Sequence, residues 1–168
     1  MSRRTENQRR EWALWTLVAA DVADTPAAEM LDRFASYVVA DPPAPGFLEV
    51  FEWFRVERFE DLLPSPDTFD EARVGVLETV VAVEANQAEI DEHIRKASPR
   101  WRIERMPVID RTLLRMGVAE LVVPEEPRPR ATINGLVNLA RRYGDDPTPR
   151  FVNGILDQIR RNLDIPFR

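Results

Sequence analysis

Cysteine is absent from this 168-residue chain. Disulfides, thiolate nucleophiles and thiolate metal sites are thereby excluded. Histidine occurs once, as His93, near the acids Glu89, Asp91 and Glu92, and reads as a surface residue that helps to neutralise them. Any metal would then need carboxylates, and no Asp/Glu spacing resembles a calcium loop or a helical di-metal pattern. None of the six glycines builds a phosphate-cradling loop. No apolar run approaches the roughly 20 residues that cross a bilayer. Met1-Ser2-Arg3-Arg4 leads into further charge instead of a hydrophobic segment, so no secretory signal is expected. Together these absences predict a protein that is not an enzyme, holds no cofactor or metal, engages no membrane and resides in the cytoplasm.

What is present is a globular balance, 44% hydrophobic and 31% charged. That length and composition fit one domain, residues 1–168, with a real core. The net charge of −6 is unevenly spread. Residues 1–15 carry four arginines against two glutamates, and residues 16–94 carry four basic groups against eighteen acids. Residues 95–168 reverse the sign, with fifteen basic and nine acidic groups. An acidic middle between two basic ends can hold a local positive surface on an acidic protein, or can simply be a solvated face. Of the 23 basic residues only Lys96 is lysine; arginine suits phosphate forks and stacking.

Helical periodicity runs throughout, and no stretch alternates with period two. The fold class expected is all-α, with about seven helices and no sheet. A first helix is expected from about Thr5 to Ala20, with Thr5 and Gln8 spaced as a capping box and Leu14, Leu17 and Val18 apolar. Thr25-Pro26 should cap a second helix, to about Val39. Prolines and a glycine in Asp41-Pro42-Pro43-Ala44-Pro45-Gly46 stop it. An aromatic segment with Phe47, Phe51, Trp53, Phe54 and Phe59 suggests a short helix. A long amphipathic helix is expected from about Asp67 to Lys96, with Phe69, Val76, Val80, Val83, Ile90 and Ile94 along one stripe. Further helices should cover Pro107 to Val122, Ala131 to Tyr143 with Gly144 as cap, and a last stretch opened by Thr148-Pro149.

The strongest chemical feature is the set of N-terminal arginines, Arg3, Arg4, Arg9 and Arg10. On the first turns of a helix their guanidinium groups can fork onto phosphates, assisted by the helix's own N–H donors; offset by Glu6 and Glu11, they otherwise make a solvated terminus. Asp110 falls where an acid complements a helix dipole, and Arg115, five residues on, points elsewhere. Gly75, Gly117, Gly135 and Gly154 are read as close-packing positions inside helices. Asp145-Asp146 reads as an acidic turn. Trp101 reads as a core or lid aromatic in preference to a base-stacking platform.

Three ordered blocks carry a resemblance. They are Arg105-Met106-Pro107-Val108-Ile109-Asp110-Arg111-Thr112-Leu113-Leu114-Arg115-Met116-Gly117-Val118-Ala119-Glu120-Leu121, then Ala131-Thr132-Ile133-Asn134, then Arg150-Phe151-Val152-Asn153-Gly154-Ile155-Leu156-Asp157. Their order and spacing, with Trp101 ahead and Tyr143-Gly144-Asp145-Asp146 between, resemble the NusB family of transcription antitermination factors over about Ala72 to Leu163. The resemblance implies an all-helical bundle that binds boxA-like RNA together with the ribosomal protein NusE during rRNA transcription. It implies the transcription elongation complex as a setting and a homodimer as one assembly. Arg10-Glu11 is similar to the family's Arg-Glu pair. The family's contacts would fall on Arg3, Arg4, Arg9, Arg10, Arg115, Arg150 and Phe151 for RNA, and on Asp110 for a partner.

The chain also departs from the family pattern. Glu6-Asn7-Gln8 interrupts the basic run before Arg10, and Val18 stands where an aromatic is common. Asn134-Gly135 replaces an Asn-Glu pair, the acidic turn runs into Pro147, and the Pro/aromatic-rich segment at about 42–66 looks like an insertion. These departures bear on RNA affinity more than on fold. They keep open a NusB-fold interaction module without RNA binding. A detached accessory to an RNA cytosine methyltransferase is a further alternative, since a NusB-like domain precedes some of those enzymes.

Overall fold

The structure, a computed structural model, describes residues 3–39 and 63–167, with side chains from residue 6 onward. Among the described residues there are seven α-helices, one 3-10 turn and no strand. The all-α class is as expected. The aromatic helix expected within 47–63, and the 42–66 segment up to its last few residues, lie outside the described residues. The chain divides into two compact units, Met1–Val81 and Ala82–Arg168.

The first unit holds α1 (Arg3–Ala23), α2 (Ala27–Val39) and most of α3 (Pro66–Ala85). α1 begins two residues before Thr5, so Thr5 lies inside the helix and does not cap it. Nor is α1 one-sided: every residue from Trp12 to Ala20 is buried, as in a helix enclosed all round. Trp12 meets Phe69 at 5.7 Å, Phe69 meets Phe34 edge-on at 5.0 Å, and Phe34 meets Trp15 edge-on at 6.0 Å. Each fully buried large apolar side chain contributes roughly 1.5–3 kcal/mol. An exposed pair such as Arg33–Glu29, at 2.6 Å, is worth about 0.3–0.5 kcal/mol. The aromatic row, not surface charge, therefore holds α1, α2 and α3 together.

Two aspartates end helices where glycine would be usual. Asp24 takes φ 48° after α1, and the Thr25 amide donates back to Ala20 O at 3.0 Å. Asp164 takes φ 53° after α7, and the Ile165 amide donates to Arg160 O at 3.1 Å. Aspartate tolerates the left-handed region better than most residues, which is why α1 outruns the expected Ala20 and still stops cleanly.

The expected helix from Asp67 to Lys96 is two helices, α3 and α4 (Gln87–Ala97), parted at Asn86. Asn86 Nδ2 donates to Ala82 O at 2.8 Å, a side chain competing for a helix carbonyl, and the residue sits at φ −113°, ψ 15°. The apolar stripe survives the break, because Phe69, Val76, Val80, Val83, Ile90 and Ile94 are all buried.

In the second unit α4, α6 (Pro129–Tyr143) and α7 (Thr148–Asn162) pack around α5 (Val108–Val122). α5 is buried on nearly every side, from Ile109 to Leu121. Gly117 permits this: a Cβ there would come within 2.6 Å of both Leu156 methyls and 2.9 Å of a Leu136 methyl. Gly154 has the opposite surroundings, with nothing within 4 Å of a Cβ built there, so it is no close-packing position. Gly144 caps α6 in an extended conformation, not a left-handed one, its amide 2.9 Å from Ala140 O. An added Cβ would lie 2.5 Å from Thr148 Cγ2 and 2.8 Å from the Ala140 carbonyl oxygen, and both contacts restrict that position to glycine.

Candidate nucleic-acid interface

In the first unit the arginines expected on phosphates divide. Arg3 and Arg4 open α1, and their side chains are outside the described atoms. Arg9 lies over α3, its Nη2 donating to Gly75 O at 3.3 Å, and a Cβ on Gly75 would collide with its guanidinium. Arg10 is buried at 6% exposure and forks onto Glu6 at 3.0 Å, with Asn7 Oδ1 at 3.5 Å. The Glu6-Asn7-Gln8 interruption in the basic run thus supplies the partner that draws Arg10 inward. Arg9 and Arg10, expected on phosphates, are thus both built into the unit.

In the second unit Arg115 is likewise held by an acid of its own chain. Its Nε and Nη2 donate to Asp91 Oδ1 and Oδ2, each at 2.9 Å, with side-chain exposures of 14% and 10%. This bidentate pair links α5 to α4 and leaves the fork turned away from solvent. Asp110, expected at a partner contact, is also inside, at 9% exposure, and accepts the Thr148 hydroxyl at 2.9 Å. Thr148 therefore ties the start of α7 to the start of α5 and does not cap its own helix. Burial raises the Asp110 carboxyl above its ordinary pKa and the negative charge of Asp145 adds to that, while the Thr148 hydrogen bond opposes them. Both acids lie near helix N-termini, where a negative charge is favoured.

Arg150 is exposed in the first turn of α7, and the neighbouring Phe151 is half-buried. The ring of Phe151 meets that of Trp101 at 6.0 Å and 67°. Trp101 itself is 64% exposed, which overturns its reading as a core aromatic. It stands in the link between α4 and α5, where Arg100, Arg102 and Arg105 are exposed as well. Sequence reasoning passed over this group. The signal was available as a local count: residues 95–105 hold five basic residues and a single acid, Glu104, around one tryptophan.

Among the described residues no three His, Cys, Asp or Glu side chains are grouped to hold a metal ion, and no helix is long and apolar enough to cross a membrane. His93 lies 3.8 Å from Glu89 within one helix.

The model of the NusB family matches residues 51–161. A "Transcription antitermination protein NusB" of Sorangium cellulosum is 48% identical over 94 residues, 55% of this chain and 66% of that protein. Another of the same name, from Desulforapulum autotrophicum, is 35% identical over 101 residues, 58% of this chain and 71% of that one. The matched stretches thus span about two thirds of these relatives. Among solved structures, one of the antitermination factors NusB and NusE in complex with double-stranded RNA superposes with a TM-score of 0.65 at 25% identity, covering 95% of this chain and 98% of that chain. The solution structure of NusB from Aquifex aeolicus gives 0.64 at 25% identity, covering 96% and 89%.

Proposed function

The chain belongs to the NusB family, and from that premise we propose that it is an RNA-binding transcription antitermination factor. It acts with ribosomal protein NusE on boxA-like RNA during rRNA transcription, as one NusB-like domain in the cytoplasm and without catalysis. The observation that carries this reading is the likeness, over 95% of the chain, to a structure holding NusB, NusE and RNA together. The elongation complex is the setting in which it works, and self-association into a homodimer is a resting alternative to the partner complex.

Within this reading the phosphate contacts fall to Arg3, Arg4 and Arg150, beside Phe151. Arg9, Arg10 and Arg115 position helices, and Asp110 serves a partner by fixing the start of α7 through Thr148. The inward turn of Arg9 and Arg10 favours one rival, a NusB-fold module that binds protein and not RNA.

Titration of purified protein with a boxA-like RNA, with and without NusE, across a salt series separates the two. The antitermination reading expects binding strengthened by NusE that falls steeply with salt, as counterion release demands. NusE binding with no RNA binding at any salt concentration would establish the rival.

A further inference from the structure

We propose that Trp101, with Phe151 against it, is a stacking platform for one unpaired base of a single-stranded RNA. The inference rests on the RNA-binding reading above and adds to it a residue and a mode of recognition.

Exposure is the first ground. Trp12 and Trp15 are 2% and 0% exposed, whereas Trp101 is 64% exposed. Presentation is the second. The Ser98 amide donates to Ile94 O at 2.9 Å, and the Trp101 amide donates to Ser98 O at 3.0 Å. Immediately after it, Ile103 and Met106 are buried at 3% and 4%, and the Met106 amide closes the turn onto Ile103 O at 3.0 Å. The indole is held outward between buried anchors, so a ligand meets a backbone that is already ordered. An edge-to-face contact with Phe151 occupies at most one face of the indole. The exposure leaves the other for a planar ligand.

Charge selects the occupant. Trp101 lies between Arg100 and Arg102, both exposed, and Phe151 follows the exposed Arg150. The pairs already present are loose: Arg102–Glu104 at 3.5 Å, and Arg95 and Lys96 to Glu92 at 3.6 and 3.5 Å, all on side chains more than half exposed. Such pairs are worth about 0–1 kcal/mol and can be exchanged for phosphate. Glu104, exposed three residues after Trp101, and Asp145 and Asp146, exposed ahead of α7, are the nearby acids in sequence that oppose an anion. An apolar side chain from a protein partner would gain nothing from five cations in eleven residues. A nucleotide uses both features, its base on the ring and its phosphates on the arginines.

The test compares wild type, Trp101→Ala and Trp101→Phe, each checked for helicity, on a boxA-like single strand and on copies carrying one abasic site at successive positions. Trp101→Ala should weaken binding about tenfold and Trp101→Phe about twofold. The salt slope should not change, because stacking releases no counterions. One abasic position should cost the wild type about as much as the alanine substitution and cost Trp101→Ala nothing further, the coupling expected of two groups in contact. Equal RNA affinity of wild type and Trp101→Ala would overturn the platform and leave the antitermination reading standing. Lost NusE binding with RNA affinity intact would overturn it in favour of a protein contact. A wild type that binds no RNA would remove both.

Discussion

Two basic regions of this protein use their charge in opposite ways. In α1, Arg10 is 6% exposed and tied to Glu6, and Arg9 lies over Gly75. In the link from α4 to α5, Arg100, Arg102 and Arg105 are exposed beside a tryptophan that is exposed too. Local charge counts favour both regions about equally as nucleic-acid surfaces. What separates them is the distribution of acids one helical turn away. Glu6 stands four residues before Arg10, a spacing that brings two side chains together on one helix face. Arg100 and Arg105 occupy a stretch that is largely not α-helical, where no such register pairs them. A basic residue is available to a partner only when its own chain has not already neutralised it.

The largest test of that rule is to release an arginine that is held. Asp91→Ala removes both bonds that Asp91 accepts from the half-buried Arg115 guanidinium, and breaking a largely buried ion pair from one side costs up to about 3–5 kcal/mol. The midpoint of urea unfolding should fall accordingly. A change below about 1 kcal/mol would mean that Arg115 swings out to water, and the contrast between inward and outward arginines would then be one of degree. Arg10→Ala comes next, with an expected loss of about 1–2 kcal/mol, because Glu6 keeps a half-buried charge without its fork. The salt slope of RNA binding should stay as in the wild type. A slope reduced by about one, with stability unchanged, would instead place Arg10 on a phosphate.

Much of the fold was legible because it rests on apolar spacing. All six stripe residues from Phe69 to Ile94 are buried as periodicity required, and α5 and α6 begin and end, and α7 begins, within a few residues of the proline and glycine signals. Boundaries set by a side chain borrowing a backbone group were not legible. Asn86 breaks a helix through a bond to Ala82 O, and Asp24 and Asp164 end helices in a conformation usually given to glycine. Gly117 and Gly154 look alike in sequence, yet one faces Leu156 and the other open space. The candidate site was legible at Phe151 and Arg150 only through the resemblance. Its tryptophan was misread, since aromaticity alone argues for the core, and only the five flanking cations argue otherwise.

On the outward side, Arg150→Ala should be nearly silent in unfolding, within about 0.5 kcal/mol, as surface substitutions usually are. It should lower RNA affinity uniformly across sequences and reduce the salt slope by about one. The pairing of Arg10→Ala with Arg150→Ala is therefore a crossed design: one changes stability and not the slope, the other the slope and not stability. Equal effects of both on both readouts would erase the distinction between the two regions.

Asp110 sets the smallest effect and the one most specific in form. Burial and Asp145 hold its carboxyl above the ordinary range in the folded state, whereas the unfolded chain releases that proton near pH ~4. Between those two values the folded state binds more protons, so its stability falls as pH rises through the window and stays lower beyond it. Asp110→Asn keeps an acceptor for the Thr148 hydroxyl and removes the titration. The variant should match the wild type at the acid edge of the window and exceed it at neutral pH, measured as urea midpoints across the series. A difference that does not change with pH would mean that the carboxylate is compensated in the folded protein. The charge would then help to hold α7 against α5, and Asp110 would join Arg10 and Arg115 as a charge built into the fold.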